Sequence, residues 1–324
     1  MTKPLLFFSL LVVTLSLCCV PAHAGWQKVD LNSFAWLHTI EFSSVNTGWL
    51  GGSRGTLFKS IDGGNTWKKI DGVTKDNIVQ IRFINEKEGW IICQRNMYTL
   101  GENRASYMLH TRNAGAEWEL VELPTRRSER ITRFFFSKNG FGLAIGEMGV
   151  LLGLSDGGND WQEIRLPSSY LMFDGAFADA VNTAVVGGGG TILFSQDAGV
   201  SWNSASVAGS PRSKFNGVEF VDSRIGYAVG ADGAVFQTRN SGKSWFAQKA
   251  PVKEQFNSVA FSNTSTGWIV GDGGKIIATN SAGSQWFLEP SGTSHRLEEV
   301  YINGKDVWAI GNGGTILRNS NGAN

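Results

Sequence analysis

From Gly25 onward, apolar and polar residues alternate along this chain in short runs that never reach helical length. Thr39-Ile-Glu-Phe42 alternates with a period of two, a turn follows, and an apolar run Gly48-Trp49-Leu-Gly-Gly52 begins after it. A glycine turn then leads to Gly55-Thr-Leu-Phe58, to a polar phrase ending at Trp67, and to a last short strand. Period-two patterning bounded by glycine, asparagine and serine predicts strands joined by tight turns. The order then repeats. The second strand recurs as Gly89-Trp90, Gly140-Phe141, Gly226-Tyr227, Gly267-Trp268 and Val307-Trp308, with a degraded copy at Thr183-Ala184-Val-Val. The polar phrase is clearest as Ser60-Ile-Asp62-Gly-Gly64-Asn-Thr-Trp67 and Ser195-Gln-Asp197-Ala-Gly199-Val-Ser-Trp202. Its closing tryptophans stand at 67, 118, 161, 202, 245 and 286. Four strands in a repeat of this length make a propeller blade.

The seventh copy is divided between the two ends. Thr315-Ile-Leu-Arg-Asn319 runs in step with Thr56-Leu-Phe-Lys-Ser60 and stops short of its tryptophan, while Trp26-Gln-Lys-Val-Asp30 matches Trp67-Lys-Lys-Ile-Asp71. The fold expected is therefore all-β: a seven-bladed β-propeller, its ring closed by the N-terminal strand joining the C-terminal blade. Closure hides sheet edges that would otherwise pair with other chains.

The repeated phrase is the Asp-box. Its hydroxyl and carboxylate are expected to bond backbone groups of the hairpin between the third and fourth strands, with glycine at the bend and tryptophan packed beneath. Ser60, Asp62 and Trp67, Asp156 and Trp161, and Ser195, Asp197 and Trp202 are assigned this structural role. Elsewhere Asn113, Asn240, Ser281 and Asn321 replace the aspartate, which argues against catalysis or metal ligation by these carboxylates. Glycine clusters such as Gly271-Asp-Gly-Gly274 fit hairpin turns; no Gly-Lys-Ser/Thr follows them, so a phosphate loop is not indicated.

Residues 1–24 read as a secretory leader: Lys3, an apolar run from Leu5 to Val20, and Ala22-His23-Ala24 before Gly25. An uncleaved anchor and a lipid on Cys18 or Cys19 are the alternatives, although Leu17 stands where a lipoprotein box takes a small residue. Residues 25–324 then form one propeller domain, read as a monomer, and the chain is exported to a periplasm or a thylakoid lumen. Of 29 Lys and Arg, Lys3 lies in the leader, so the remainder balances the 28 Asp and Glu. A neutral chain argues against a nucleic-acid partner. Cys93 is left as the single thiol, read as buried and inert.

Asp-boxes also occur in sialidases, the rival class considered. Such an enzyme needs three arginines on a carboxylate, a tyrosine nucleophile and a glutamate beside it, yet the early Arg-Ile-Pro segment is absent and Tyr227 occupies a packing slot. His38, His110 and His295 fall on different blades without metal-ligand spacing. No catalytic residue, metal or cofactor is assigned, and Glu298-Glu299 is read as a solvated strand end. The expected role is a docking platform. Arg126, Arg127, Arg130 and Arg133 make the most basic stretch, Arg95 and Arg104 lie in a longer second blade, and Arg82 is aligned with Arg133 by counting back from the second-strand aromatic. These seven arginines are the candidate partner-binding set.

The Gly-Trp-(Leu/Ile)-x-Gly strands at Gly48-Trp49-Leu-Gly-Gly52 and Gly267-Trp268-Ile-Val-Gly271, with Gly-Thr-Ile at Gly190-Thr-Ile192 and Gly314-Thr-Ile316, resemble those of the photosystem II stability and assembly factor family. The resemblance spans residues 25–324. It implies a non-catalytic propeller that binds a membrane-protein subunit, the newly made D1 reaction-centre protein in a photosynthetic host, through an arginine-rich surface.

Overall fold

The computed structural model describes residues 25–324 except 100, 102, 155–159, 210, 321 and 324. The proposed leader, Asp156 and Asn321 lie outside the described residues. Strands pair into seven sheets, antiparallel except for one added strand in the fifth. Blade 1 contains Leu37–Phe42, Gly48–Gly52, Leu57–Ser60 and Lys68–Lys69, and its sheet keeps sequence order from inner to outer strand. Blades 2 to 6 follow the same plan, beginning with Asn77–Phe83, Ile131–Phe136, Met172–Phe177, Phe215–Phe220 and Phe256–Phe261. In blade 7, Leu297–Asn303, Asp306–Gly311 and Ile316–Asn319 are completed by Gln27–Lys28. Each inner strand packs beside those of its two neighbours, so the ring is continuous.

Closure occurs as the divided repeat predicts. Gln27 lies opposite Arg318 and Lys28 opposite Leu317, and Val29 N–H reaches Ile316 O at 2.9 Å. Trp26 Nε1 also donates to Glu289 of blade 6 at 2.8 Å. One strand is additional to the repeat: Ser206–Val207 runs parallel to Ser244–Ala247 and covers the outer edge of blade 5.

Every inner strand carries a register shift after its first buried residue, between Leu37 and Thr39 in blade 1 and between Ile78 and Gln80 in blade 2. The same irregularity recurs in the other five blades. A bulge adds local twist, and here it turns the alternation that follows toward the ring axis.

Among the described residues, the Asp-boxes staple their own hairpins. Ser60 Oγ donates to Asp62 at 2.8 Å and accepts Gly64 N–H at 2.9 Å, while Asp62 accepts the N–H and hydroxyl of Thr66 at 2.9 and 2.6 Å. The Thr66 bonds, chiefly, hold the Asp62 carboxyl down at about 2. Asn113 and Asn240 make the same turn with Thr111 and Thr238. The box glycines also serve the preceding blade. Gly64 has φ 82°, and a Cβ there would lie 2.5 Å from Trp308; Gly115 has φ 74° and meets Trp49 at 2.3 Å. A second-strand aromatic thus slides beneath the next blade's box and meets its tryptophan edge-on, Trp308 against Trp67 and Trp49 against Trp118. Such ring pairs add to the burial that fuses neighbouring blades.

Candidate binding face and central channel

The structure divides the seven arginines into two groups. Arg95 and Arg104 flank the long connection between Gly89–Gln94 and Ser106–Thr111, and Arg126, Arg127 and Arg130 lie in the segment leading to blade 3. Both segments emerge on the face opposite the Asp-boxes. They are tied together: Ala105 N–H bonds Arg127 O at 2.8 Å, and Arg95 donates to Arg104 O at 2.8 Å. The Arg95 guanidinium lies 4.0 Å over the Tyr107 ring and pairs with Glu122 at 3.2 Å. Arg54, Lys75, Asp76, Arg95, Tyr98 and Arg130 line a hollow of about 390 Å³ there. Large apolar side chains share this face. Phe34 is 93% exposed, Tyr98 99% and Trp36 58%.

Arg82 and Arg133 belong elsewhere, in a channel of about 820 Å³ lined by the inner strands of all seven blades. The expected alignment of these two residues is corrected. Arg82 lies opposite Trp90, but Arg133 lies opposite Ile145, one pleat nearer the arginine face. Gly140-Phe141 imitates the start of the second strand, whereas the strand is Gly142–Gly146 and Leu143 takes the aromatic's place. Arg82 stands near the Asp-box end of its strand, away from Arg95 and Arg104.

At Arg133's level blade 5 has Gly217, and the other five blades carry acceptors that reach sideways to the next blade. Thr39 accepts Ile81 N–H at 3.2 Å, Gln80 accepts Phe134 N–H at 2.7 Å, and Asp174 accepts Val218 N–H at 2.9 Å. Ser258 takes Val300 N–H at 3.2 Å, and Glu299 takes Ile40 N–H at 2.8 Å. These bonds close backbone donors that the bulges leave outside the ladders. Arg133 has no oxygen to offer and donates instead to Thr132 O at 3.1 Å. Among the described residues, no carboxylate lies within ion-pair distance of it.

Arg82 is bound on both sides, 2.8 Å from Glu41 and 3.0 Å from Glu299. Glu299 is therefore buried in an ion pair that joins blades 7, 1 and 2, not a solvated strand end as expected; the sequence could not show Arg82 lying beside it. Glu298 pairs with Arg296 at 2.8 Å. Burial pushes the Glu41 carboxyl up and Arg82 pulls it back, leaving it at about 7. Glu219 occupies Glu41's position in blade 5, opposite Tyr227 as Glu41 is opposite Trp49. Burial raises it to about 8, the Phe261 N–H opposes, and Asp174 adds to the rise. Burial likewise raises Asp174, against the pull of Arg133. His38 is held down at about 4 by burial, then by Arg133 and Arg296.

Sequence reasoning missed Glu41, Asp174 and Glu219. A signal was present: Glu41-Phe42, Arg82-Phe83 and Glu219-Phe220 each place a charge before the phenylalanine that ends an inner strand. The buried-thiol reading holds, since Cys93 is fully buried and burial pushes it up to about 12. Among the described residues, no group of three or more His, Cys, Asp or Glu is placed to hold a metal ion.

Seven Asp-box blades, an arginine-rich connection face and a charged channel define an Asp-box propeller. The family model described as photosynthesis system II assembly factor YCF48 matches residues 19–128, 166–239 and 237–324, and the chain belongs to this family. A photosystem II assembly lipoprotein Ycf48 from Picosynechococcus is 26% identical over 300 residues, covering 76% of this chain and 86% of that protein. The chloroplastic stability/assembly factor HCF136 of Guillardia theta is 40% identical over 65 residues, 19% of this chain and 16% of its own. Among solved structures, YCF48 bound to a D1 peptide superposes with TM-score 0.75 at 19% identity, over 93% of this chain and 99% of that one. A virginiamycin B lyase from Staphylococcus aureus also reaches 0.75, at 13% identity over 90% of this chain and 98% of the enzyme. At such identities the likeness is one of fold.

Proposed function

We propose that the protein is an exported, monomeric, non-catalytic assembly factor that docks a membrane-protein subunit on the connection face of blades 1 to 3. In a host that makes photosystem II, the subunit is D1. Family membership supports the process, and the structure of a relative with a D1 peptide supports the partner. The lipoprotein relative fits a protein working outside the cytoplasm. One observation carries the choice of face: Arg95, Arg104, Arg126, Arg127 and Arg130 lie in connections on the same face as exposed Phe34, Trp36 and Tyr98. Arginine with tyrosine and tryptophan is the composition of interface hot spots. Planar guanidiniums on a rigid scaffold suit the carboxylates of a partner segment.

Fluorescence anisotropy with a labelled lumenal D1 peptide tests this. Replacing Arg126, Arg127 and Arg130 together with glutamate is expected to weaken binding by about tenfold or more, with unchanged melting, since rim charges chiefly govern association. Undiminished binding by that variant would reject the face. A panel of fluorogenic sialosides and other glycosides is expected to show no turnover; hydrolysis would reject the non-catalytic reading.

A further inference from the structure

The channel contains one three-blade arrangement twice, and among the described residues an arginine bonds both carboxyls in only one of the two. In the first, Glu299 of blade 7 accepts Ile40 N–H from blade 1 at 2.8 Å. The next residue, Glu41, accepts Phe83 N–H from blade 2 at 3.4 Å. Arg82 of blade 2 then donates to both carboxylates. Across the ring, Asp174 of blade 4 accepts Val218 N–H from blade 5 at 2.9 Å, and the next residue, Glu219, accepts Phe261 N–H from blade 6. At the register position of Arg82, blade 6 has Ala260, opposite Trp268 as Arg82 is opposite Trp90.

The second copy therefore repeats the carboxyls and backbone donors without the guanidinium. Glu219 lines the channel, yet its Oε2 is buried and has no hydrogen-bond partner among the described residues. A buried carboxyl oxygen left in this way is costly, and a native structure normally satisfies it. The channel wall nearby is built from Gly175, Ala176, Ser258 and Ala260, small residues that leave room beside the two acids. Four carboxyls, Glu41, Asp174, Glu219 and Glu299, face two guanidiniums, Arg82 and Arg133, with Lys138 at the exposed rim.

We propose that the channel binds a small cation between Asp174 and Glu219, in the role that the Arg82 guanidinium plays between Glu299 and Glu41. Two sources share this chemistry. An ammonium or guanidinium group would donate hydrogen bonds as Arg82 does, and a hard metal ion such as calcium would use the same oxygen donors. Soft metals are disfavoured by the absence of sulfur and imidazole from the cavity lining. The cavity volume lies in the range of small-ligand sites.

Isothermal titration of the purified protein with methylguanidinium chloride, and separately with calcium chloride, at fixed ionic strength tests the site. Saturable binding of one probe at a single site is expected, about tenfold or more weaker in Glu219→Gln and in Asp174→Asn. Ala260→Arg supplies the guanidinium from the chain and is expected to abolish binding of either probe while the protein remains folded. Running the titration in two buffers of different ionisation heat should reveal proton release, because a cation favours the ionised carboxyl. The arm that saturates identifies the source. No saturable binding of either probe, or binding undiminished in Glu219→Gln or Ala260→Arg, overturns the proposal. Should Glu219→Gln fail to fold, Asp174→Asn and Ala260→Arg decide it.

Discussion

Glu41 and Glu219 stand at the same level of the ring, yet only one has an arginine. Both accept a backbone N–H from the next blade, and both follow a residue stapled by the preceding blade's carboxylate. Arg82 stabilises the charged form at Glu41, whereas burial at Glu219 favours the protonated form. In a repeat protein the blades share one backbone solution, so a residue that departs from its counterparts reveals where something other than folding is at work. Arg82 completes a structural clamp. Its absence from blade 6 leaves an acid whose use must be sought outside the fold.

The largest expected effect breaks the first site. Arg82→Met leaves Glu41 and Glu299 buried without their cation, and removing one partner of a buried pair costs about 3–5 kcal/mol. Urea unfolding should show it, and a loss below about 1 kcal/mol would contradict the clamp. The next sharpens the contrast through pH. Glu219's folded pKa of about 8 lies above the ordinary 4.5, so its contribution to stability is fully present below 4.5 and is lost as pH rises through 8. From pH 4.5 to 7 that loss is on the order of 3 kcal/mol. Glu219→Gln should remove that part of the slope in urea unfolding at a series of pH values; an unchanged slope would disprove the assignment. Ala260→Arg makes the second site resemble the first and should gain about 1 kcal/mol near pH 8, as a charge-assisted hydrogen bond replaces an unpartnered acid. A destabilised variant would show that the two sites are not equivalent. Smallest of all, Arg133→Gln should change stability by less than about 0.5 kcal/mol, since no ion pair is lost. A larger loss would place Arg133 in the clamp with Arg82.

Much of the fold was legible because period and closure are properties of the backbone repeat. The split copy at Trp26 and Thr315 announced the shared blade, and the box residues announced their hairpins. Side-chain partnerships in the channel were less accessible. Arg82 and Glu299 are 217 positions apart and meet only because the ring closes. Arg133 was misaligned because Gly140-Phe141 precedes the true strand by two residues, which preserves the alternation and so gives no warning. The connection-face arginines were recognisable as a group, since Arg126, Arg127 and Arg130 adjoin in sequence. Their company with Phe34, Trp36 and Tyr98 comes from connections on three separate parts of the ring. The strand that covers blade 5 left no signal, because Ser206–Val207 is too short to show a period.

The pairing of Gln27 with Arg318 sets a timetable as well as a shape. Gln27 is synthesised before the six intervening blades and Arg318 after them, so the first strand has no partner until blade 7 is made. Loop-closure entropy delays such distant contacts, and an unpaired edge invites the wrong neighbour. Ring closure needs Ile316–Asn319 as well as Gln27–Lys28, so this pairing is expected among the last contacts of the propeller to form.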